Sequence, residues 1–349
     1  MTLPGMDIDA VTRFLTERGV PLRGPLTAEL ISGGRSNLTF ALTDGAARWV
    51  LRRPPTAGLT PSAHDMAREY TVTSALWGTA VPVAATVAAD LEGTVLGAPF
   101  TVVEFVPGLV IRDRDDLVAL TGEQIDACVH ALVDRLVALH AVDYRAIGLE
   151  TFGRPDGYVS RQVRLWARQW EQVQTRELPD AARLAAALAD FAPPASASIV
   201  HGDYRIDNTI LDAERPDVVR AVVDWEMSTL GDPLTDVALM CVYREPVFDR
   251  VLGVQAAWTS DRLPSADDLA QRYALASGRD LGSWPWYLAL ANFKIGVIAE
   301  GIAYRARQGA DAGRDAVAAA DATPEFMAAG LRLLRGDRAQ ATVTPNAKP

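Results

Sequence analysis

The residues able to do chemistry crowd into one stretch. His201, Asp203, Arg205, Asn208, Asp224 and Glu226 fall within 26 residues. Strand-like apolar runs at 198–200 and 219–223 lead into the polar groups. A carboxylate at a strand end, an amide five residues on and a second carboxylate after the next strand suit phosphoryl transfer. That reaction needs a carboxylate to orient the attacking hydroxyl and take its proton, hard oxygen ligands for Mg²⁺, and cations on the phosphates. Asp203 is the candidate base, Asn208 and Asp224 are the candidate Mg²⁺ ligands, and Arg205 is a cation for the transferring phosphate. His201 reads as an anchor of the loop backbone, and Asp207 as a turn or capping residue. The expected reaction moves a phosphoryl group from ATP to a hydroxyl of a small molecule.

Other elements must position these groups. Residues 7–20 read as an amphipathic helix with Ile8, Val11, Phe14 and Leu15 on one face. Residues 27–53 read as three antiparallel strands, with a Gly33-Gly34-Arg35-Ser36-Asn37 turn and an Asp44-Gly45 hairpin signal. A glycine turn can lie over phosphates because no Cβ blocks the backbone donors; it also suits a plain hairpin. A helix over 62–79 and strands over 83–89 and 94–105 follow, and Pro107-Gly108 breaks the last strand. From there the spacing is helical, over 123–141, 157–176, 179–191, 265–277, 286–308 and 323–335. His130 and His140 read as structural histidines. The chain thus divides into 1–106, a hinge near 104–108, a mainly helical part to 336, and a flexible tail at 337–349.

At 349 residues the chain suits two lobes. Its net charge of −10 argues against nucleic acid, whose phosphates need basic stripes. No apolar run approaches the roughly 20 residues that span a bilayer, and the first residues form no signal segment, so a cytoplasmic location is expected. Cys128 and Cys241 are expected as buried free thiols. The cations are almost all arginine, the only lysines being Lys294 and Lys348. Lys294 lies midway along an apolar helix and either snorkels to the surface or faces a cleft.

His201-Gly-Asp…Asn208, Val223-Asp-Trp-Glu226 and Gly231-Asp-Pro-Leu-Thr-Asp236 together resemble the aminoglycoside phosphotransferase/choline kinase family. The likeness is closer to the phosphotransferase domain of some acyl-CoA dehydrogenase family members. Gly148–Gln162 and Tyr287–Lys294 also resemble that subgroup. The resemblance spans about residues 25–335 and implies an α+β, two-lobed, protein-kinase-like fold. It implies that Gly33, Gly34, Ser36 and Asn37 cover phosphates and that Glu69 pairs with a strand cation. It further implies that Glu104 and Val106 meet adenine at the hinge and that Asp236 braces the catalytic loop. Arg52 stands where the family places a lysine, 17 residues before Glu69. Its planar fork differs from an ammonium, which leaves ATP against GTP open. Arg53 should point the opposite way along the strand.

For the acceptor, the subgroup resemblance implies a hydroxyl on an acyl or other anionic metabolite, such as a hydroxyacyl-CoA, with Arg161, Arg164, Lys294 and Arg305 as cations. An aminoglycoside would instead want an acidic pocket, with Glu300 and Asp311 as candidates. Two readings of other classes compete. One is a nucleotide-binding regulatory module without transfer. The other is a metal-dependent hydrolase on His201, Asp203 and Asp224, which lacks further clustered histidines.

Overall fold

Asp7 accepts a hydrogen bond from the Ala10 N–H and so starts helix α1 (Ile8–Glu17), which buries Val11, Phe14 and Leu15. The computed structural model describes residues 3–32, 37–56, 65–194, 196–309 and 316–336. Gly33, Gly34, Arg35 and Ser36, Asp311 and the tail from 337 lie outside the described residues. Strands β1 (Thr27–Ser32), β2 (Leu38–Thr43) and β3 (Arg48–Arg53) come next. Helix α2 (Met66–Leu76) precedes β4 (Thr86–Asp90) and β5 (Phe100–Glu104). The five strands pair antiparallel in the order β1-β2-β3-β5-β4.

Alternation along these strands sorts the two faces of the sheet. Leu38, Phe40, Leu42, Trp49, Leu51, Phe100 and Val102 join α1 in a small core, with Phe14 set edge-on to Phe100. Thr39, Val50, Arg52, Thr101 and Val103 face the other way and line a cleft. The Asp65 side chain caps helix α2 by accepting from the Arg68 N–H; the helix ends at Leu76, before the expected 79, and the expected residues 62–64 lie outside the described residues. The strand expected over 94–105 begins only at Phe100. The Asp90 carboxylate gathers Gly93, Thr94 and Val95 into a loop and uses up those residues.

The rest of the chain is mainly helical. Helices α3 (Gly122–Ala141), α4 (Tyr158–Val173) and α5 (Pro179–Ala189) lead to β6 (Ser198–Val200) and β7 (Thr209–Leu211). Then come β8 (Val219–Val222), β9 (Thr229–Gly231), α6 (Pro233–Val242) and α7 (Phe248–Leu252). Helices α8 (Ala266–Ser277), α9 (Trp284–Arg307) and α10 (Thr323–Arg335) complete the order. β6 pairs with β9, and β7 with β8, giving two short ribbons. A Thr121–Gln124 capping box fixes the start of α3, whose Leu132 and Leu136 are fully buried. They join Trp258, Phe293 and Phe326 in a large core. Val72 and Leu76 of α2 also belong to that core, so α2 packs on both parts of the molecule. Cys128 and Cys241 are buried and free. No helix of the described residues is long and apolar enough to cross a membrane.

Candidate active site

The loop after β6 is held by its backbone. The Asp236 carboxylate, in the first turn of α6, accepts from His201 N (2.6 Å) and Gly202 N (2.8 Å). His140 Nε2 lies 3.3 Å from the same carboxylate, and His140 Nδ1 is 2.7 Å from the Tyr273 hydroxyl. Burial raises the Asp236 pKa, yet the His140 and His201 donors outweigh it and hold the group below its ordinary value. Burial keeps His140 uncharged, below the usual histidine range. The His201 ring ties the loop to the end of β8, with Nε2 at 3.0 Å from Val223 O and Nδ1 facing the Asp203 N–H. Gly202 has φ +85° and sits so close to Met227 that a Cβ would lie 2.8 Å from the Met227 carbonyl oxygen.

Asp203 follows directly. Its Oδ1 accepts from the Tyr243 hydroxyl at 2.7 Å, and its Oδ2 from Asn208 Nδ2 at 3.0 Å. Burial works to raise its pKa, but Arg205, the Tyr243 hydroxyl, His201 and Lys294 together bring it below the ordinary value. Asp203 is therefore ionised at neutral pH and ready to accept a proton. Arg205 pairs with Asp207 at 3.1 Å, lies 3.5 Å from Asp203 and packs over the Tyr243 and Phe248 rings. It adjoins the cleft without lining it. Asp207 lies within the single tight turn Ile206–Asn208, as the turn reading expected, and caps no helix. Buried against Arg205, it lines the cleft, and burial pushes its pKa up to about 6. Lys294 points inward: it is 8% exposed, donates to Gly202 O at 2.9 Å and lies over the Trp166 ring. Burial lowers its pKa while Asp203 and Asp236 oppose that change.

The second carboxylate ends β8. Asp224 is the one non-glycine residue with positive φ (67°) among the described residues, a bend that turns its carboxylate toward the sheet. The Val223 N–H donates to Asn208 O at 2.9 Å and holds the two ligand candidates together. Arg52 bridges the halves of the site, with Nη1 2.7 Å from Glu69 and Nη2 3.0 Å from Asp224. Arg53 points away and donates to Gly5 O. Asn37 Nδ2 donates to Glu226 Oε2 at 3.3 Å, a further link between the halves. Burial and the neighbouring Asp224 push the Glu226 pKa up to about 7, with Arg52 opposing. A third link comes from Arg68 of α2, which donates to the backbone carbonyls of Phe152 and Ser228.

These groups enclose a cleft of about 480 Å³. Glu104 and Val106 line one end, and Arg52, Glu69, Asn208 and Asp224 the other. Two buried atoms at the latter end, Arg52 Nε and Glu69 Oε2, have no hydrogen-bond partner. Among the described residues no three His, Cys, Asp or Glu side chains cluster as a metal cage. One carboxylate and one amide oxygen instead fit Mg²⁺, which keeps water and phosphate oxygens as its other ligands. Asn208 suits this, because its Nδ2 is committed to the backbone and side chain of Asp203. Asp203, Asn208, Asp224, Arg52 and Glu69 are thus brought together, and Glu104, Val106 and Asn37 adjoin the same cleft. Gly33, Gly34 and Ser36 lie outside the described residues. Tyr243 and Arg68 were not singled out from the sequence, and Glu226 was noted there without a role. For Tyr243 a signal existed, since it lies two helical turns after Asp236.

A five-stranded antiparallel sheet beside a helical body, with the strand-end carboxylate of Asp224 in the cleft between, defines a kinase-like α+β phosphotransferase fold. The chain belongs to the phosphotransferase enzyme family (APH), which it matches over residues 27–275. It is therefore a member of a family of phosphotransferase enzymes. It is 32% identical to mouse (Mus musculus) acyl-CoA dehydrogenase family member 10 over 307 residues, 86% of this chain and 28% of that protein. It is 30% identical to human (Homo sapiens) acyl-CoA dehydrogenase family member 11 over 340 residues, 96% of this chain and 43% of that protein. The chain thus spans less than half the length of these relatives. Among solved structures it is similar to a Ralstonia eutropha protein provisionally described as an aminoglycoside phosphotransferase. That match has 31% identity and a TM-score of 0.80, and covers 95% of this chain and 98% of that one. The hygromycin B complex of aminoglycoside phosphotransferase APH(4)-Ia with AMP-PNP shares the fold at 16% identity and a TM-score of 0.61, covering 95% and 99% of the two chains.

Proposed function

We propose that the chain is an ATP- and Mg²⁺-dependent O-kinase for a small, anionic, acyl-type acceptor such as a hydroxyacyl-CoA, working in the cytoplasm. We further propose two lobes, 1–106 and 107–336, hinged near 104–108. The observation that carries the reading is Asp203, an ionised carboxylate set between the Arg52–Asp224 end of the cleft and Lys294. The nucleotide would lie with adenine at Glu104 and Val106 and its phosphates toward Arg52, under Gly33, Gly34, Ser36 and Asn37. Asn208 and Asp224 would hold Mg²⁺, which when bound neutralises charge on the phosphates. Asp203 takes the proton of the acceptor hydroxyl as its oxygen bonds to the γ-phosphorus and the bond to ADP breaks. Arg205 acts on the same step by keeping Asp203 ionised and by its charge beside the transferring group. The AMP-PNP in a structural neighbour supports a nucleoside triphosphate as donor.

The support for an anionic acceptor is one cation, Lys294, which with Gly202, Gln162, Trp166, Tyr158, Tyr287 and Asp236 lines a hollow of about 20 Å³ between α4 and α9. Asp236 is already bonded to the loop and His140. Glu300, the acidic candidate for a polycation, is fully buried and accepts from Thr175 and Arg176. Arg164 and Arg168 stand exposed on α4. The curated relatives, named as acyl-CoA dehydrogenase family members, also favour an acyl compound. The test is to incubate the protein with Mg·ATP and hydroxyacyl-CoAs, choline or aminoglycosides. A phosphorylated hydroxyacyl-CoA that disappears in Asp203→Ala is expected. Phosphorylation of an aminoglycoside alone would overturn the acceptor, and nucleotide binding with no transfer to any acceptor would favour the regulatory module.

A further inference from the structure

Asp236 and Tyr243 stand seven residues apart, two turns along α6, so they share one face of that helix. Both reach the same loop. Asp236, near the helix start, accepts from the backbones of His201 and Gly202. Tyr243, the residue that caps the other end, donates its hydroxyl to Asp203 Oδ1 at 2.7 Å. One helix therefore grips three consecutive loop residues, two by their backbone and the third by its reactive side chain. The first grip follows from the family resemblance, whereas the second comes from the fold.

Tyr243 is itself held firmly. It is 4% exposed, and its N–H donates to Leu239 O at 2.9 Å as the last bonded turn of α6. Its ring packs on Phe248 with centroids 4.6 Å apart, and the Arg205 guanidinium lies over both rings. The hydroxyl accordingly occupies one position. A carboxylate otherwise turns broadly about its last torsion. Here the turn is stopped from both sides, by Tyr243 on Oδ1 and by Asn208 Nδ2 on Oδ2. Arg205 Nε, 3.5 Å away, further crowds the Oδ1 side. Packing alone would be served equally by phenylalanine. A buried hydroxyl is costly unless bonded, and the partner of this one is the candidate base.

We infer that Tyr243 is a positioning residue for phosphoryl transfer: its hydroxyl sets the plane of the Asp203 carboxylate, so that Oδ2 is the oxygen that meets the acceptor hydroxyl. This rests on the reading of Asp203 as base. When the acceptor O–H bond breaks, its proton goes to Oδ2, the new O–P bond forms and the bond to ADP breaks. Oδ1 continues to accept from Tyr243, which keeps its proton throughout.

The test is Tyr243→Phe in the full chain, alongside Tyr243→Leu. Three quantities are read: affinity for Mg·AMP-PNP, the urea unfolding midpoint, and ADP release with a hydroxyacyl-CoA or with water as acceptor. For Tyr243→Phe, nucleotide affinity and unfolding midpoint should stay unchanged while kcat falls about tenfold, as misplacement of a reacting group predicts. Tyr243→Leu, which also loses the packing on Phe248, should lower the midpoint and so separate the ring from the hydroxyl. A crystal structure of Tyr243→Phe should show the Asp203 carboxylate rotated or in two orientations. An unrotated carboxylate with wild-type kcat would overturn the inference. So would a loss of kcat matched by equal losses in nucleotide affinity and midpoint, which marks a purely structural role. If the wild type releases no ADP with any acceptor, the transfer reading fails, and the Asp203 orientation in the variant crystal still decides the role of Tyr243.

Discussion

Asp236 and Glu69 are both buried carboxylates, and burial has opposite outcomes at the two. Asp236 has donors on both oxygens, from His201, Gly202 and His140, and its pKa falls. Glu69 has Arg52 on one oxygen and nothing on the other; its pKa rises through burial, with Arg52 opposing. A satisfied buried acid holds structure together. An under-satisfied one keeps bonding capacity in reserve, and such groups gather where ligands bind. The brace behind the loop 201–203 is thus finished by folding alone, whereas Arg52 and Glu69 retain unused bonding capacity that the proposed nucleotide site would draw on.

Four measurements would break or sharpen this contrast. Asp203→Ala belongs to neither half and should lower turnover about 10³-fold, the size expected for loss of a general base. Its nucleotide affinity should stay at the wild-type value in calorimetry. Asp236→Ala strands two backbone donors and the uncharged His140, and should cost about 1–3 kcal/mol per stranded donor in urea unfolding. Glu69→Gln should weaken Mg·ATP binding about tenfold, or about 1.4 kcal/mol, with little change in the unfolding midpoint. If Glu69→Gln instead unfolded the protein as readily as Asp236→Ala, the two carboxylates would be equivalent and the contrast would fail.

The smallest effect concerns pH. His140 is held below the ordinary histidine range, so the unfolded chain takes up a proton that the folded state refuses. Stability should therefore be complete above about pH 6.5 and decline as pH falls below it. Urea midpoints across this window should show the decline in the wild type and a shallower one in His140→Gln.

Much of the fold was legible where a pattern repeated. The first three strands alternate, and α3, α9 and α10 carry long helical stripes, so their ends fall within a few residues of expectation. Helix α6 was expected from the family resemblance around Asp236 and from the apolar run around Cys241 rather than from a helical period, because almost all its residues are buried and no polar face reveals one. The strands β7 and β9 have three residues each, too few for a pattern. In the site, Asp203, Asn208 and Asp224 stood out because residue type and spacing already state the chemistry. Arg68 and Tyr243 did not, and Glu226 stood out without a role, because each acts through a partner 40 or more residues away, as with the Tyr243–Asp203 separation of 40.

The sequence by itself determined which groups could react, since a carboxylate or an amide is defined by its residue type and the neighbouring apolar runs bring it to a strand end. It also determined that no lysine precedes residue 294, so that any cation of the sheet is an arginine. The tertiary structure alone decided how those groups are biased. Asp203 is ionised because Arg205 and Tyr243 converge on it, and Lys294 turns inward because Gly202 O and the Trp166 face receive it. Charge state and orientation depend on distance and on the local dielectric, and both are set only once distant segments pack together.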